Sequence, residues 1–138
     1  TPSAGGLHTI ECLISPMSGS YWYLYNPIRH CLDVLDIEVD KLEQFKQECS
    51  SFFPDARNAC LVWYVCDIER LSRKYESPES LALRESGSIS AVHALVAEYL
   101  NLAYCPLGAL GFKEANTLLN ERELAGVGTA VIGHPSRR

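Results

Sequence analysis

Several features are missing from this 138-residue chain, and each omission narrows what it can do. No apolar run approaches the roughly 20 residues that a membrane-spanning helix needs. No basic stretch followed by an apolar one opens the sequence, so no signal peptide is visible. Basic charge is in deficit: Lys and Arg number 12 against 17 Asp and Glu, a formal net charge of −5. That balance argues against broad nucleic-acid binding and against an anionic membrane surface. There is no Cys-x-x-Cys pair, no Cys/His cluster at zinc spacing and no metal site among His8, His30, His93 and His134. Internal repeats and low-complexity linkers are absent too. The chain opens on Thr1 inside a turn, without an initiator Met, as a fragment would.

What remains is the composition of an ordinary globular domain, 47% apolar and 21% charged, long enough for one core and too short for two. The six cysteines (12, 31, 49, 60, 66 and 105) mostly fall inside apolar runs. Buried free thiols in a reducing cytoplasm are the better reading than a disulfide framework. Cys105 stands apart, ahead of a Pro-x-Gly turn.

Along the chain, residues 10–15 read as a strand stopped by Pro16, the aromatic run 21–25 as a second, and 31–35 as a third. The loop 17–20 would make the first two a hairpin. Leu42, Phe45, Cys49 and Phe52 recur at helical spacing over 40–52, with Asp40 as N-cap. Residues 59–66 are continuously apolar and rich in β-branched and aromatic types. This pattern predicts a central strand buried on both faces. A short helix over 67–75 ends in basic residues and is broken by Pro78. The longest helix is expected over 80–102. Its core positions would be Leu81, Ile89, Val92, Leu95, Val96, Tyr99 and Leu100, and Ser86, Gly87, Ser88 and Ala91 would form a close-approach face. A further helix over 112–120 and a last strand over 127–132 complete a mixed α and β order, with mostly antiparallel or mixed pairing.

The chemistry-bearing motifs come in a fixed order. Pro2, Ser3, Ala4 and Gly5 form a small-residue turn before an apolar strand, where glycine permits close backbone approach. Lys74 and Tyr75 precede Ala82-Leu83-x-Glu85-x-Gly87. Cys105-Pro106-Leu107-Gly108 follows the long helix, and Ile132-Gly133-x-Pro135 closes the chain. Each has a plainer reading. Arg73 and Lys74 suit a solvated helix end, Arg137 and Arg138 a frayed terminus, Glu85 an interior hydrogen-bond acceptor or dimer contact, His93 a packed helix residue, and the tyrosines at 21–25 sheet packing.

Taken together, in this order and covering the chain from residue 2, the motifs resemble the nitroreductase-like flavoprotein family. Within it they look most like the SagB-type branch, which oxidises azoline rings in ribosomally made peptides. The branch has Pro-Ser-Ala-Gly-x-Leu ahead of a Tyr-His-Tyr-x-Pro strand; here these are Pro2 to Leu7 and Tyr23-Leu-Tyr-Asn-Pro27. The resemblance implies an α+β nitroreductase-like domain over 1–138: a mixed or antiparallel sheet around a long buried central helix, with an N-terminal part of the family domain missing. It implies FMN as cofactor, a homodimer that builds flavin sites across its interface, and a small-molecule or peptide substrate. It assigns Pro2, Ser3, Ala4, Gly5, Leu107 and Gly108 to the ring, Arg137 or Arg138 to the phosphate, and Lys74 and Tyr75 to proton transfer, with burial tuning the lysine. The sequence departs from the branch where Glu76-Ser-Pro-Glu-Ser80 replaces a Gly-x-Arg-x-Tyr-Arg stretch and His8-Thr9 replaces Tyr-Pro. Those losses suit the alternative: a flavin-free relative that serves as a binding or scaffold partner.

Overall fold

The computed structural model describes all residues except 2, 37–38, 55, 119–122 and 136–138, and the side chains of 39, 41 and 117. The described residues form one antiparallel sheet with helices on both faces. The strands are β1 (Ile10–Pro16), β2 (Tyr23–Asn26), β3 (Cys31–Val34), β4 (Cys60–Asp67), β5 (Ala103–Leu107) and β6 (Leu124–Gly133), in the spatial order β3-β2-β1-β4-β6-β5. The helices are α1 (Val39–Ser51), α2 (Ile68–Ser72) and α3 (Pro78–Tyr99).

The apolar run at 59–66 forms the predicted central strand. In β4, six consecutive side chains from Leu61 to Cys66 are buried, because cores lie on both of its faces. Leu61, Trp63 and Val65 point to the α1 side, where they join Leu13, Trp22, Leu42, Phe45 and Cys49. Val62, Tyr64 and Cys66 point to the α3 side, with Ile68, Leu71, Ala82, Ala125 and Val127. Trp63 anchors the first core. Its ring packs 5.6 Å from Trp22 edge-to-face and 5.0 Å from Phe45, and its Nε1 donates to the Leu110 carbonyl at 3.0 Å. Burying one such ring contributes on the order of 4–6 kcal/mol.

The predicted hairpin is present, with Leu13 opposite Leu24 and Ile14 opposite Tyr23. Strand β1 runs through Pro16 rather than stopping before it, and Pro16 pairs opposite Cys60. Asp40 sits inside the first turn of α1, where its charge suits the helix terminus, rather than capping it. Phe52 lies beyond α1 and is exposed rather than core. Between β4 and β6 the register shifts after Tyr64, as a bulge places Gly126 and Gly128 opposite Val65 and Tyr64. At Gly126 any Cβ would collide with the backbone of Leu110 and Gly111, so the loop after β5 crosses directly over the strand.

The long helix forms, but on a different face from the one expected, and it is not the buried central helix of the sequence reading. Leu95, Val96, Tyr99 and Leu100 are exposed, Tyr99 by 85%, while Leu81, Ile89 and Val92 are only half-buried. The face against the sheet carries Ala82, Glu85, Ser86 and Ala97. Small residues win there because α3 lies close to the strands: a Cβ at Gly128 would come within 3.0 Å of Ser86 Oγ. Of the expected close-approach face, Gly87, Ser88 and Ala91 face solvent. Pro78 starts this helix instead of merely ending the previous one, since its missing N–H costs nothing in the first turn.

Two further differences follow from tertiary context. Cys105 to Gly108 read as a turn, but Cys105 to Leu107 belong to the edge strand β5. Pro106 is tolerated there because an edge strand needs to pair on one side only. The helix expected over 112–120 is a single 3-10 turn, Glu114–Thr117, with 119–120 outside the described residues.

Candidate functional site

Ser3 to Leu7 form a tight 3-10 turn, with Gly5 at φ +58° and Gly6 at φ +67°. Ser3 organises it: its carbonyl accepts Gly6 N–H at 3.0 Å and its Oγ accepts His8 N–H at 2.8 Å. Leu7 N–H donates to the Ala4 carbonyl at 3.2 Å, and Ala4 N–H donates to Glu85 Oε1 on α3 at 3.2 Å. Four of the N–H groups between residues 4 and 8 are thus satisfied within the protein.

Against this turn lies the segment joining α2 to α3. Asp67 caps α2 by accepting Arg70 N–H at 2.9 Å, and buried Leu71 pins the helix to the sheet. Lys74 and Tyr75 N–H groups both donate to the Leu71 carbonyl, at 3.2 and 3.1 Å. This closes the chain so that both side chains reach back. A Cβ added at Gly5 would fall within 3.0 Å of Lys74 Nζ and of Tyr75 Oη. Lys74 Nζ sits 5.7 Å from the Tyr75 ring centroid. The structure therefore brings Ser3, Ala4 and Gly5 together with Lys74 and Tyr75, far away in sequence. Tyr75 is half-buried, whereas Lys74 is exposed, so the burial expected of it is not found. Its neighbour Arg73 is exposed and paired with Glu69 at 2.6 Å, as a solvated helix end would be.

Leu107 and Gly108 lie elsewhere. Leu107 packs on the α1 side of the sheet, while Leu7 and Tyr75 pack on the α3 side. Leu107 and Gly108 line an open, mainly apolar cleft of about 740 Å³ with Glu48, Phe52, Phe53 and Cys105. Nothing lies within 4 Å of a Cβ built at Gly108, so the backbone is open there. One chain does not bring these two residues to the Gly5 turn. Pro2 and Arg137 fall outside the described residues, as does Arg138. A smaller pocket of about 280 Å³ beside the turn is lined by His8, Thr9, Arg70, Arg73 and three carboxylates, a mixed-charge wall.

Two further polar arrangements involve α3. Glu85 is the interior hydrogen-bond acceptor of its plainer reading, and the group it holds is Ala4 N–H. The second is a chain of hydroxyls and an imidazole under α3. Ser90 Oγ meets Tyr104 Oη at 2.8 Å, Tyr104 Oη meets Tyr64 Oη at 2.8 Å, and Tyr64 Oη meets His93 Nδ1 at 2.7 Å. Burial pushes the Tyr64 hydroxyl up, with Tyr104 adding to it, so Tyr64 stays protonated. Burial also pulls His93 below the ordinary histidine value. The unfolded chain therefore binds a proton more readily than the native one. Stability should be full above about pH 6.5 and fall as pH drops through the lowered native value. Urea midpoints compared at pH 8 and pH 5.5 will show this loss, and His93→Gln will reduce it; an unchanged pH dependence in that variant would remove His93 as the cause.

All six cysteines are free. Burial pushes the Cys12 thiol up to about 12 and the Cys66 thiol up to about 11, so both are inert; Cys105 alone is exposed. No group of three metal-binding side chains occurs among the described residues, and no helix among them is long and apolar enough to cross a membrane.

The sheet order, the flanking helices and the glycine turn before β1 define a nitroreductase fold. A crystal structure from Ralstonia eutropha, assigned to the nitroreductases, matches 99% of this chain and 63% of its own, with TM-score 0.73 and 18% identity. A chain of the Escherichia coli microcin synthetase McbBCD complex, solved with truncated pro-MccB17 bound, matches 99% of this chain and 55% of its own, at TM-score 0.74 and 22% identity. An Anabaena variabilis protein, also assigned to the nitroreductases, matches 95% of this chain and 28% of its own, at TM-score 0.75 and 17% identity. This chain therefore spans less than two thirds of each of these structures. No protein-family model matches the sequence, and no curated protein matches it.

Proposed function

We propose that this chain is the ring-binding part of an FMN-dependent oxidoreductase of the SagB type, transferring a hydride between flavin N5 and a small-molecule or peptide substrate. The observation that carries the reading is the meeting of Lys74 Nζ and Tyr75 Oη at Gly5. A flavin ring gains negative charge on reduction and exchanges protons with its surroundings. An ammonium and a phenol at a glycine turn suit it in kind. Lys74 and Tyr75 would hold and move the proton that accompanies the hydride. Ser3, Ala4 and Gly5 would present the turn to the ring, and the Tyr75 ring would keep water from one side of it. Pro2 and Arg137 remain candidates for the ring and the phosphate respectively.

The separation of the two glycine turns supports assembly across a homodimer. Leu107 and Gly108, on the opposite side of the sheet from Gly5, would serve a second site with the partner's turn. The exposed Leu95, Val96, Tyr99 and Leu100 give α3 an apolar stripe of the kind a partner covers. The E. coli complex with its peptide bound makes a peptide substrate the first class to try. Free, buried thiols suit a reducing cytoplasm.

An absorbance spectrum of the purified protein, before and after adding FMN and desalting, tests the reading. Retained near-ultraviolet and blue flavin bands are the expected result. A colourless protein that does not retain FMN, also when made with any native upstream residues, overturns it in favour of a flavin-free partner protein.

A further inference from the structure

Glu85 is 7% exposed, on the face of α3 between the small residues Ala82 and Ser86. Its Oε1 accepts Ala4 N–H at 3.2 Å, while its Oε2 is buried with no hydrogen-bond partner among the described residues. A buried carboxylate with one oxygen unmatched is costly. A neutral acceptor would satisfy the same N–H at lower cost. What the carboxylate adds is strength, since a hydrogen bond to a charged acceptor is roughly twice as strong as a neutral one. The bond falls on the residue just before Gly5, the point where Lys74 Nζ and Tyr75 Oη converge.

We propose that Glu85 is the positioning residue of this site: its charge-assisted grip on Ala4 N–H holds Gly5 at the angle and place on which Lys74 and Tyr75 meet. Glu85 acts through the turn, not on a reacting atom. Its expense in a closely packed helix face is the cost of keeping that turn rigid. The catalytic consequence rests on the oxidoreductase reading above; the grip itself does not.

The test separates the two. Amide hydrogen exchange is followed at Ala4 and in β4 for the wild type, Glu85→Gln and Glu85→Ala, without flavin. Exchange at Ala4 should rise about tenfold in Glu85→Gln, which keeps a neutral acceptor, and further in Glu85→Ala, with β4 unchanged. In FMN-loaded protein, kcat with NAD(P)H and a nitroaromatic acceptor should fall in Glu85→Ala at unaltered KM, and Glu85→Gln should recover part of it. Wild-type protection at Ala4 in both variants overturns the proposal. So does a rise in β4 exchange in step with Ala4 in Glu85→Gln, because Glu85 would then merely support the fold. If Glu85→Ala does not fold, Glu85→Gln decides alone. If the exchange pattern holds but the wild type retains no FMN, the positioning role stands and the oxidoreductase reading falls.

Discussion

Lys46→Ala will lower the unfolding free energy by about 3 kcal/mol. Lys46 looks like an ordinary helix-surface lysine in sequence, yet its side chain is only 4% exposed. From α1 its Nζ donates to Glu43 Oε1 at 2.7 Å, to Ser15 Oγ at 3.3 Å and to the Gly19 carbonyl. Ser15 is itself fully buried and passes its proton to the Tyr21 carbonyl at 2.9 Å. One ammonium therefore ties α1 to the turn of the β1–β2 hairpin, just before Trp22 enters the core. Truncation leaves a buried hydroxyl and a carbonyl short of a donor and the Glu43 charge unpaired. Lys46→Met, which keeps most of the packing volume, should lose nearly as much, because the lost donor and not the lost stem dominates. Urea titrations followed by Trp fluorescence report on this directly, since Trp22 and Trp63 flank the junction. A loss below about 1 kcal/mol in Lys46→Ala would mean that apolar contacts alone hold the hairpin.

The contrast between β4 and α3 shows where sequence reading succeeds. Eight residues that are apolar on both sides of a strand can be satisfied in one way, between two cores, and β4 is found there. Helix α3 has large apolar residues on one face and small ones on another, and periodicity alone favours burying the large ones. The sheet instead takes the small face, because Gly128 and Ser86 allow the axes to approach, and the larger stripe is left outward. Strand β5 was hidden by Pro106, which punctuates a turn in isolation but costs little on a sheet edge. Of the site, the glycine turn and the Lys74–Tyr75 pair were visible as motifs, and the fold supplies their contact. Glu85 was legible as an interior acceptor, though not what it holds; Lys46 was not legible, because whether a charged residue on a helix is solvated or buried depends on what packs over it, and no local pattern encodes that.

If the proposed oxidoreductase reading holds, Lys74→Ala and Tyr75→Phe should each lower turnover of the FMN-loaded protein by about 10²–10⁴-fold, the usual range for removing a proton-transfer group, while flavin is still retained. The retention matters, since neither side chain builds the fold: Lys74 is exposed, and Tyr75→Phe keeps the ring that packs against the α3-side core. If the pair acts as a unit at Gly5, the double variant will be scarcely worse than the more damaging single one. Gly5→Ala should reproduce much of that defect without substituting either residue. Its φ of +58° disfavours a side chain, and the new methyl would occupy the space where Lys74 Nζ and Tyr75 Oη now sit. Turnover with NAD(P)H and a nitroaromatic acceptor, paired with the retained flavin absorbance, separates the outcomes. Full turnover in Lys74→Ala and Tyr75→Phe would remove the pair from the chemistry. Loss confined to Gly5→Ala would leave the turn as a ring seat and send the search for the proton-transfer group elsewhere.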